Sequence, residues 1–277
     1  MRDRSPSFSR FPAAGAALAA AGAVLLVTGL SGCTAEPTYS YASVVPPVPV
    51  SAGEFAKLTP ATTFTTIPTA ATDQDPFVVT DGLVVHPLTA QVVYLAPGQK
   101  PVAVLPATEL GGPTWVPVVL ASPGWVQVLL PSRPNRSTGW IYTAGTAASE
   151  LVIRASPYLI RIEVGARKLT VDEGGTSLGT WTVAVGAPGT PTPTGRTFLL
   201  ALLAPPSPTY SPLILPLGTH SSAFSTFGGG PGTVGLHGWP DPSVFGHAVS
   251  NGCVRVPATA LHVLSEIPLG TLVMITA

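Results

Sequence analysis

The most informative stretch of the chain reads Gly235-Leu236-His237-Gly238 and, sixteen positions after His237, reaches Cys253 within Ser250-Asn251-Gly252-Cys253-Val254-Arg255. A cysteine attacks a carbonyl carbon as its thiolate, and a free thiol with a pKa of about 8.5 is mostly protonated at neutral pH. An imidazole within hydrogen-bond reach can accept that proton and later return it to a leaving amine. The stretch therefore predicts Cys253 as a nucleophile and His237 as its general base.

Gly252 indicates how the backbone would take part in the reaction. Glycine allows the tight turn that can aim amide N–H groups at the oxyanion of a tetrahedral intermediate. We expect the backbone at Gly252 to provide one donor and the N–H of Cys253 to provide the second. The alternative for Cys253 is a buried, inert thiol that packs as a small apolar side chain.

The same residues resemble the motif of the L,D-transpeptidase (YkuD-type) family. The resemblance covers about Tyr158 to Thr276, because Thr192-Pro193-Thr194-Gly195-Arg196-Thr197-Phe198 and Pro268-Leu269-Gly270-Thr271-Leu272-Val273 fit the family as well. It implies a cysteine-dependent acyltransferase that joins peptidoglycan stem peptides in 3-3 cross-links through a thioester. The implied partners are a tetrapeptide donor and a diamino-acid acceptor, with no cofactor and with covalent capture by carbapenems.

The resemblance also implies roles for the neighbours of the two reactive residues. The backbone carbonyl of Gly238 would orient His237, while Ser250, Asn251 and Arg255 would form the substrate-binding group. Many family members carry histidine at the position of Asn251. Asparagine can form hydrogen bonds but cannot titrate, which leaves His237 as the base beside the thiol.

Several other functions are compatible with parts of this pattern. An L,D-carboxypeptidase or endopeptidase would resolve the thioester with water, and a wall-binding lipoprotein could retain the fold after catalysis had decayed. His237, Asp241, His247 and Cys253 are ligand types that zinc accepts, but their spacing lacks a paired-ligand signature, so we predict no metal. The net charge of +0 and the charged fraction of 9% indicate no nucleic-acid partner.

The first 33 residues read as an export signal. Arg2, Arg4 and Arg10 precede an apolar stretch, and Leu30-Ser31-Gly32-Cys33 resembles the lipobox of bacterial lipoproteins. The resemblance implies cleavage before Cys33 and a lipid anchor on its sulfur. The alternative is an uncleaved transmembrane helix. Both alternatives predict an extracytoplasmic enzyme on the membrane that faces the cell wall.

The remaining sequence predicts a mainly all-β protein, because 32 prolines and 29 glycines separate short apolar runs. Residues 34–75 are rich in Pro, Thr and Ala and predict an extended linker. Residues 76–147 resemble bacterial SH3-like modules through their paired Gly-Trp units, Gly124-Trp125 and Gly139-Trp140. We therefore expect a small SH3-like β-barrel, followed at 151–277 by a YkuD-type β-sandwich or barrel with one or two short helices.

Overall fold

The computed structural model describes residues 43–207 and 210–277 of the chain. Short β-strands dominate this part of the chain, and the predicted mainly β fold is confirmed. The predicted signal segment 1–33, with Cys33, and the start of the predicted linker lie outside the described residues. Among the helices of the described part, none is both long and apolar enough to span a membrane.

The first half of the described chain forms one sheet of short strands. Its elements are α1 (Ala52–Phe55), β1 (Ala71–Thr72), β2 (Leu83–Pro87), β3 (Gln91–Tyr94), β4 (Pro101–Leu105), β5 (Thr108–Glu109), β6 (Gly112–Pro113), β7 (Val116–Ser122), β8 (Trp125–Leu129), β9 (Ser137–Tyr142) and β10 (Leu151–Ala155). The sheet has the order β10-β2-β7-β8-β9-β3-β4, β1 pairs with β9, and β5 and β6 form a separate hairpin. Valine, leucine and isoleucine side chains from these strands fill a common core, as expected for β-branched and apolar residues on a pleated surface.

The predicted end of the linker and the predicted start of the catalytic domain do not coincide with the elements of this sheet. Ala61 and Ile67, assigned to the extended linker, are 0% and 2% exposed, and their N–H groups donate to the carbonyls of Val104 and Arg133. Composition predicted extension, but these apolar side chains bury against the sheet. The strand Leu151–Ala155, assigned to the catalytic domain, pairs instead with β2. The SH3-like character of 76–147 stays a prediction.

The second half contains the candidate residues and one longer helix. Its elements are β11 (Tyr158–Glu163), β12 (Lys168–Glu173), β13 (Thr176–Thr182), β14 (Val185–Gly186), β15 (Gly195–Phe198), β16 (Ile214–His220), β17 (Thr233–Gly238), a 3-10 helix (Pro242–Val244), β18 (Ala248–Ser250), β19 (Val254–Val256), α2 (Ala258–Ser265) and β20 (Leu272–Thr276). The strands form a sheet of order β13-β12-β11-β20-β15, a sheet β16-β17-β19 and a pair β14-β18. Helix α2 starts directly after Pro257, where proline is tolerated because no intrahelical N–H is required.

A buried ion pair connects the two halves of the described chain. The Arg196 guanidinium donates from Nε and Nη2 to the two carboxylate oxygens of Asp73, each at 2.7 Å. The two side chains are 4% and 2% exposed, and Nη1 of Arg196 donates to the Val78 carbonyl at 2.9 Å. Asp73 lies in the predicted linker and Arg196 in β15. Each buried charge is paired with the other, so the ion pair holds the two halves of the described chain together.

We expect Asp73→Ala to lower the free energy of unfolding by about 3–5 kcal/mol, because it leaves the Arg196 charge buried without its partner. Urea denaturation followed by tryptophan fluorescence measures this change. Asp75→Ala, which removes an exposed carboxylate two residues away, is the matched control and should change the value by less than about 0.5 kcal/mol. Equal effects of the two substitutions would contradict the structural importance of the pair.

Candidate active site

Two neighbouring strands bring the candidate residues onto one face. β17 pairs in parallel with β19, with Leu236 opposite Val254 and His237 opposite Arg255. Successive side chains of a strand point to opposite faces. Leu236 and Val254 enter the core, so His237, Arg255 and the adjoining Cys253 share the other face. The register thus brings together two reactive residues that are sixteen positions apart in the sequence.

Cys253 carries a free, half-buried thiol. Its Sγ accepts a hydrogen bond from the backbone N–H of Gly235 at 3.4 Å. Burial raises the pKa of the Cys253 thiol, although the Gly235 N–H and the positive charge of Arg255 act in the opposite direction. Burial has the largest effect, and it favours the neutral thiol over the thiolate.

His237 is 7% exposed and has a fixed ring orientation. Its Nδ1 lies 2.7 Å from the carbonyl oxygen of Gly238. A carbonyl only accepts hydrogen bonds, so Nδ1 carries the hydrogen and Nε2 is the free basic nitrogen. Burial lowers the pKa of His237, more than the Gly238 hydrogen bond raises it. The N–H of Gly238 donates to Ser211 Oγ at 2.7 Å, which fixes the peptide that orients the ring.

The loop before the thiol is fixed by hydroxyl groups. Ser250 Oγ donates to the Cys253 carbonyl and accepts from the Gly252 N–H at 3.1 Å. Thr192 Oγ1 donates to the Gly252 carbonyl at 2.9 Å and accepts from the Gly186 N–H at 2.9 Å. Gly252 has a φ of 114°, a left-handed conformation that glycine adopts without steric cost. The sequence VSNGC therefore turns sharply just before the nucleophile.

This loop differs in one respect from the predicted oxyanion hole. The N–H of Gly252 is directed to Ser250 Oγ instead of the cavity. In the hydrogen-bond network of residues 43–207 and 210–277, the Cys253 N–H has no acceptor. The nucleophile's own N–H is therefore the available donor, and Gly252 contributes through the turn that exposes it.

A cation and two aromatic rings surround the imidazole. The guanidinium carbon of Arg255 lies 3.6 Å from the centroid of the Trp239 ring, a cation–π distance. The Tyr210 ring lies 4.9 Å from the His237 ring, centroid to centroid. The salt bridges of the described residues join other pairs, Arg161 with Asp172 and Arg196 with Asp73. Arg255 thus presents a cation without a carboxylate partner from this part of the protein.

The shared strand face is the floor of a cavity of about 420 Å³. Most of the lining is apolar, which is typical of pockets that orient a ligand with a few polar groups. Both halves of the chain line it: Thr63, Phe64, Leu110, Leu203, Tyr210, Ile214, Pro216, Phe227, Gly228, Gly230, Pro231, Thr233, Gly235, His237, Trp239, Ser250, Asn251, Cys253 and Arg255.

Comparison with known proteins identifies the family of this chain. Residues 157–275 match the family model of the L,D-transpeptidase catalytic domain, YkuD. The YkuD protein of Bacillus licheniformis is 30% identical over 154 residues, which are 54% of this chain and 86% of that protein. The chain belongs to the L,D-transpeptidase family. The YkuD protein of Bacillus subtilis is 29% identical over 154 residues, covering 53% of this chain and 84% of its own length. The solved L,D-transpeptidase from Mycobacterium smegmatis is 16% identical, with 58% of this chain and 99% of that chain covered at a TM-score of 0.37.

The predicted site residues of this L,D-transpeptidase family member fall into three groups. Those that line the cavity are Cys253, His237, Arg255, Asn251 and Ser250. Gly238 and Gly252 lie behind the lining and act through the backbone contacts described above. Cys33 lies outside the described residues. The catalytic roles of these residues remain proposals.

The sequence did not predict several residues that lie around the candidate site and come from other parts of the chain. Tyr210 and Trp239 lie beside the imidazole, Ser211 binds the peptide N–H of Gly238, and Thr63 and Phe64 come from the predicted linker. Trp239 follows the motif Gly-Leu-His-Gly directly, so its position offered a signal. Thr63 and Phe64 offered none, because only the packing of residues 60–67 brings them to the cavity.

We expect alkylation of Cys253 by iodoacetamide to accelerate with pH and to reach half of its maximum rate at a higher pH than free cysteine, because burial raises the pKa of the thiol. The Cys33→Ala variant leaves one cysteine to follow by mass spectrometry, and N-acetylcysteine is the reference thiol. A plateau already reached at pH 6 would instead indicate a stable thiolate–imidazolium pair.

A buried histidine that contacts Thr63 behind the cavity wall predicts a pH-dependent stability. Burial lowers the pKa of His220 to about 4, whereas an unfolded histidine has a pKa of about 6.5. Between these values the unfolded chain binds the extra proton, so stability is complete above about pH 6.5 and falls toward pH 4. The loss is on the order of 3 kcal/mol.

Urea denaturation of wild type and His220→Gln across this pH range isolates the contribution of His220. In the variant, the free energy of unfolding should change much less between pH 6.5 and pH 4 than in wild type. His247→Gln, which changes an exposed histidine, should show the same change as wild type. Parallel curves for wild type and His220→Gln would show that His220 does not remain neutral in the folded protein.

Proposed function

We propose that this protein is a peptidoglycan L,D-transpeptidase that forms 3-3 cross-links through a thioester on Cys253. The observation that carries the proposal is the common strand face of Cys253, His237 and Arg255, opposite the core. Family membership supplies the reaction class, and the apolar cavity with one cation fits a peptide that ends in a carboxylate.

The first half-reaction uses the neutral thiol and the neutral imidazole. As Sγ of Cys253 attacks the carbonyl carbon of the L,D-peptide bond, His237 Nε2 takes the thiol proton. The tetrahedral oxyanion accepts a hydrogen bond from the Cys253 N–H. The C–N bond then breaks, His237 returns its proton to the amine of the departing D-alanine, and a thioester remains.

Arg255 lies on the side of the thiol from which the amine departs. It is opposite His237 in the strand register, and it lies against Trp239 without an acidic partner in the described part of the chain. A guanidinium pairs well with a carboxylate through parallel hydrogen bonds. We assign to Arg255 the terminal carboxylate of the donor, which the departing D-alanine carries away.

In the second half-reaction the side-chain amine of a neighbouring stem attacks the thioester carbonyl. His237 takes the proton from that amine, the C–S bond breaks, and the sulfur recovers a proton as the thiol. If water replaces the amine, the same chemistry gives L,D-carboxypeptidase activity. We also propose that a lipid on Cys33 keeps the enzyme outside the cytoplasm and next to the cell wall.

Incubation of the purified protein with disaccharide-tetrapeptide, followed by mass spectrometry, tests the proposal. We expect wild type to release D-alanine, to carry a thioester adduct and to form cross-linked dimers. Cys253→Ala should lose all three products, and His237→Ala should lose about 10²–10⁴-fold in rate, the usual contribution of general acid–base catalysis.

Cys33→Ala is the matched cysteine control and should retain full activity in solution. Formation of tripeptide monomer without any dimer would show that the protein is an L,D-carboxypeptidase and not a transpeptidase. Dimer formation by Cys253→Ala at the wild-type rate, or glycan binding without any turnover by wild type, would overturn the proposal.

A further inference from the structure

We propose that the N-terminal half of the chain forms part of the substrate site, where Thr63, Phe64 and Leu110 bind the acyl-donor side of the stem peptide. The acyl-donor side comprises the residues before the bond that is cleaved. The inference rests on the proposed function and deepens it, because it divides the cavity into a donor arm and a leaving-group arm.

The thiol lies midway along the cavity floor. Thr233, Gly235 and His237 alternate along the cavity-facing side of β17, and Cys253 Sγ accepts its hydrogen bond from Gly235. A strand rises about 3.3 Å per residue, so Thr233 and His237 each lie about 7 Å from Gly235, in opposite directions. The sulfur therefore has a Thr233 side and a His237 side.

The position of the base decides which part of the substrate lies on which side. His237 must reach the departing amine to protonate it, and Arg255 lies opposite His237 in the register. The leaving group therefore occupies the His237 side. Since the acyl part is on the other side of the cleaved bond, it extends from the sulfur toward Thr233. Two extended residues span about 7 Å, which brings the first two residues of the stem to that end.

Residues from the predicted linker form the wall at the Thr233 end. Thr63 Oγ1 lies 2.6 Å from Thr233 Oγ1, and the N–H of Thr63 donates to Glu109 Oε1 at 3.0 Å. The ring of His220 binds the Thr63 carbonyl through Nε2 at 2.8 Å. These buried contacts fix the segment, and the next side chain, Phe64, is 64% exposed at the cavity. A rigid backbone thus presents a large apolar ring to the donor arm.

Leu110 is a second apolar residue at this wall. It lies in the two-residue turn between β5 and β6, where Leu110 has a φ of 49° and Gly111 a φ of 82°. A two-residue hairpin turn of this type requires positive φ at both central residues, so the hairpin fixes the position of Leu110. The side chain lines the cavity beside Phe64. Together the two side chains give the donor arm an apolar surface for methyl and methylene groups of the stem.

Acylation rates with two donors test this assignment. The long donor is the tetrapeptide, and the short donor is the N-acetylated diamino acid joined to D-alanine, which lacks the first two residues. Formation of the Cys253 thioester by the full-length protein is followed by intact-mass spectrometry. We expect Phe64→Ala to lower kcat/KM for the long donor about tenfold and to leave the short donor unchanged.

Phe77→Ala is the matched control, because Phe77 is a phenylalanine of the same half, 56% exposed, and does not line the cavity. Phe77→Ala should leave kcat/KM unchanged for both donors. An equal loss of kcat/KM with both donors in Phe64→Ala, or no loss with either donor, would overturn the donor-arm assignment while the proposed function stands. Failure of wild type to form a thioester with either donor would overturn the proposed function itself.

Discussion

The parallel register between β17 and β19 is the constraint on which the active site depends. A slip of one residue would turn every side chain of the moving strand to the other face. Cys253 and Arg255 would then enter the core, and Val254 would face the cavity. The slip is opposed by burial, because Val234 and Leu236 on β17 and Val254 on β19 belong to one apolar core. The hydrophobic effect thus sets the geometry of the reactive pair.

The two halves of the described chain work as one structure around this site. The Asp73–Arg196 ion pair joins them on one side, and the contacts of Thr63 with His220 and Thr233 join them beside the cavity. Buried ionic and polar contacts require good geometry, since a charge or donor left without a partner is costly. The N-terminal half therefore has a defined position relative to the thiol, which a flexible spacer would lack.

Local patterns in the sequence predicted that His237 and Cys253 lie at one site, and both line the same cavity, but these patterns did not predict the residues around them. The spacing of His237 and Cys253 and the glycine at 252 are features of neighbouring residues, and their chemistry can be read without the fold. The composition of residues 34–75 predicted an extended chain, because proline, threonine and alanine give no periodic signal. The burial of Ala61 and Ile67 depends on a distant sheet. Long-range packing of this kind is not encoded in any local pattern, so Thr63 and Phe64 were not predicted as site residues.

Burial of the candidate pair explains how the free thiol of Cys253 can persist in an enzyme of this kind. Burial raises the pKa of Cys253 and lowers the pKa of His237, so it favours the neutral form of both groups. Oxidation of cysteine follows its thiolate character, and a neutral thiol is therefore protected outside the cytoplasm. The positive charge of Arg255 favours the thiolate but disfavours the imidazolium. If the donor carboxylate binds Arg255 as proposed above, its negative charge would weaken both effects: it would favour the imidazolium that forms during the attack and disfavour a free thiolate before it.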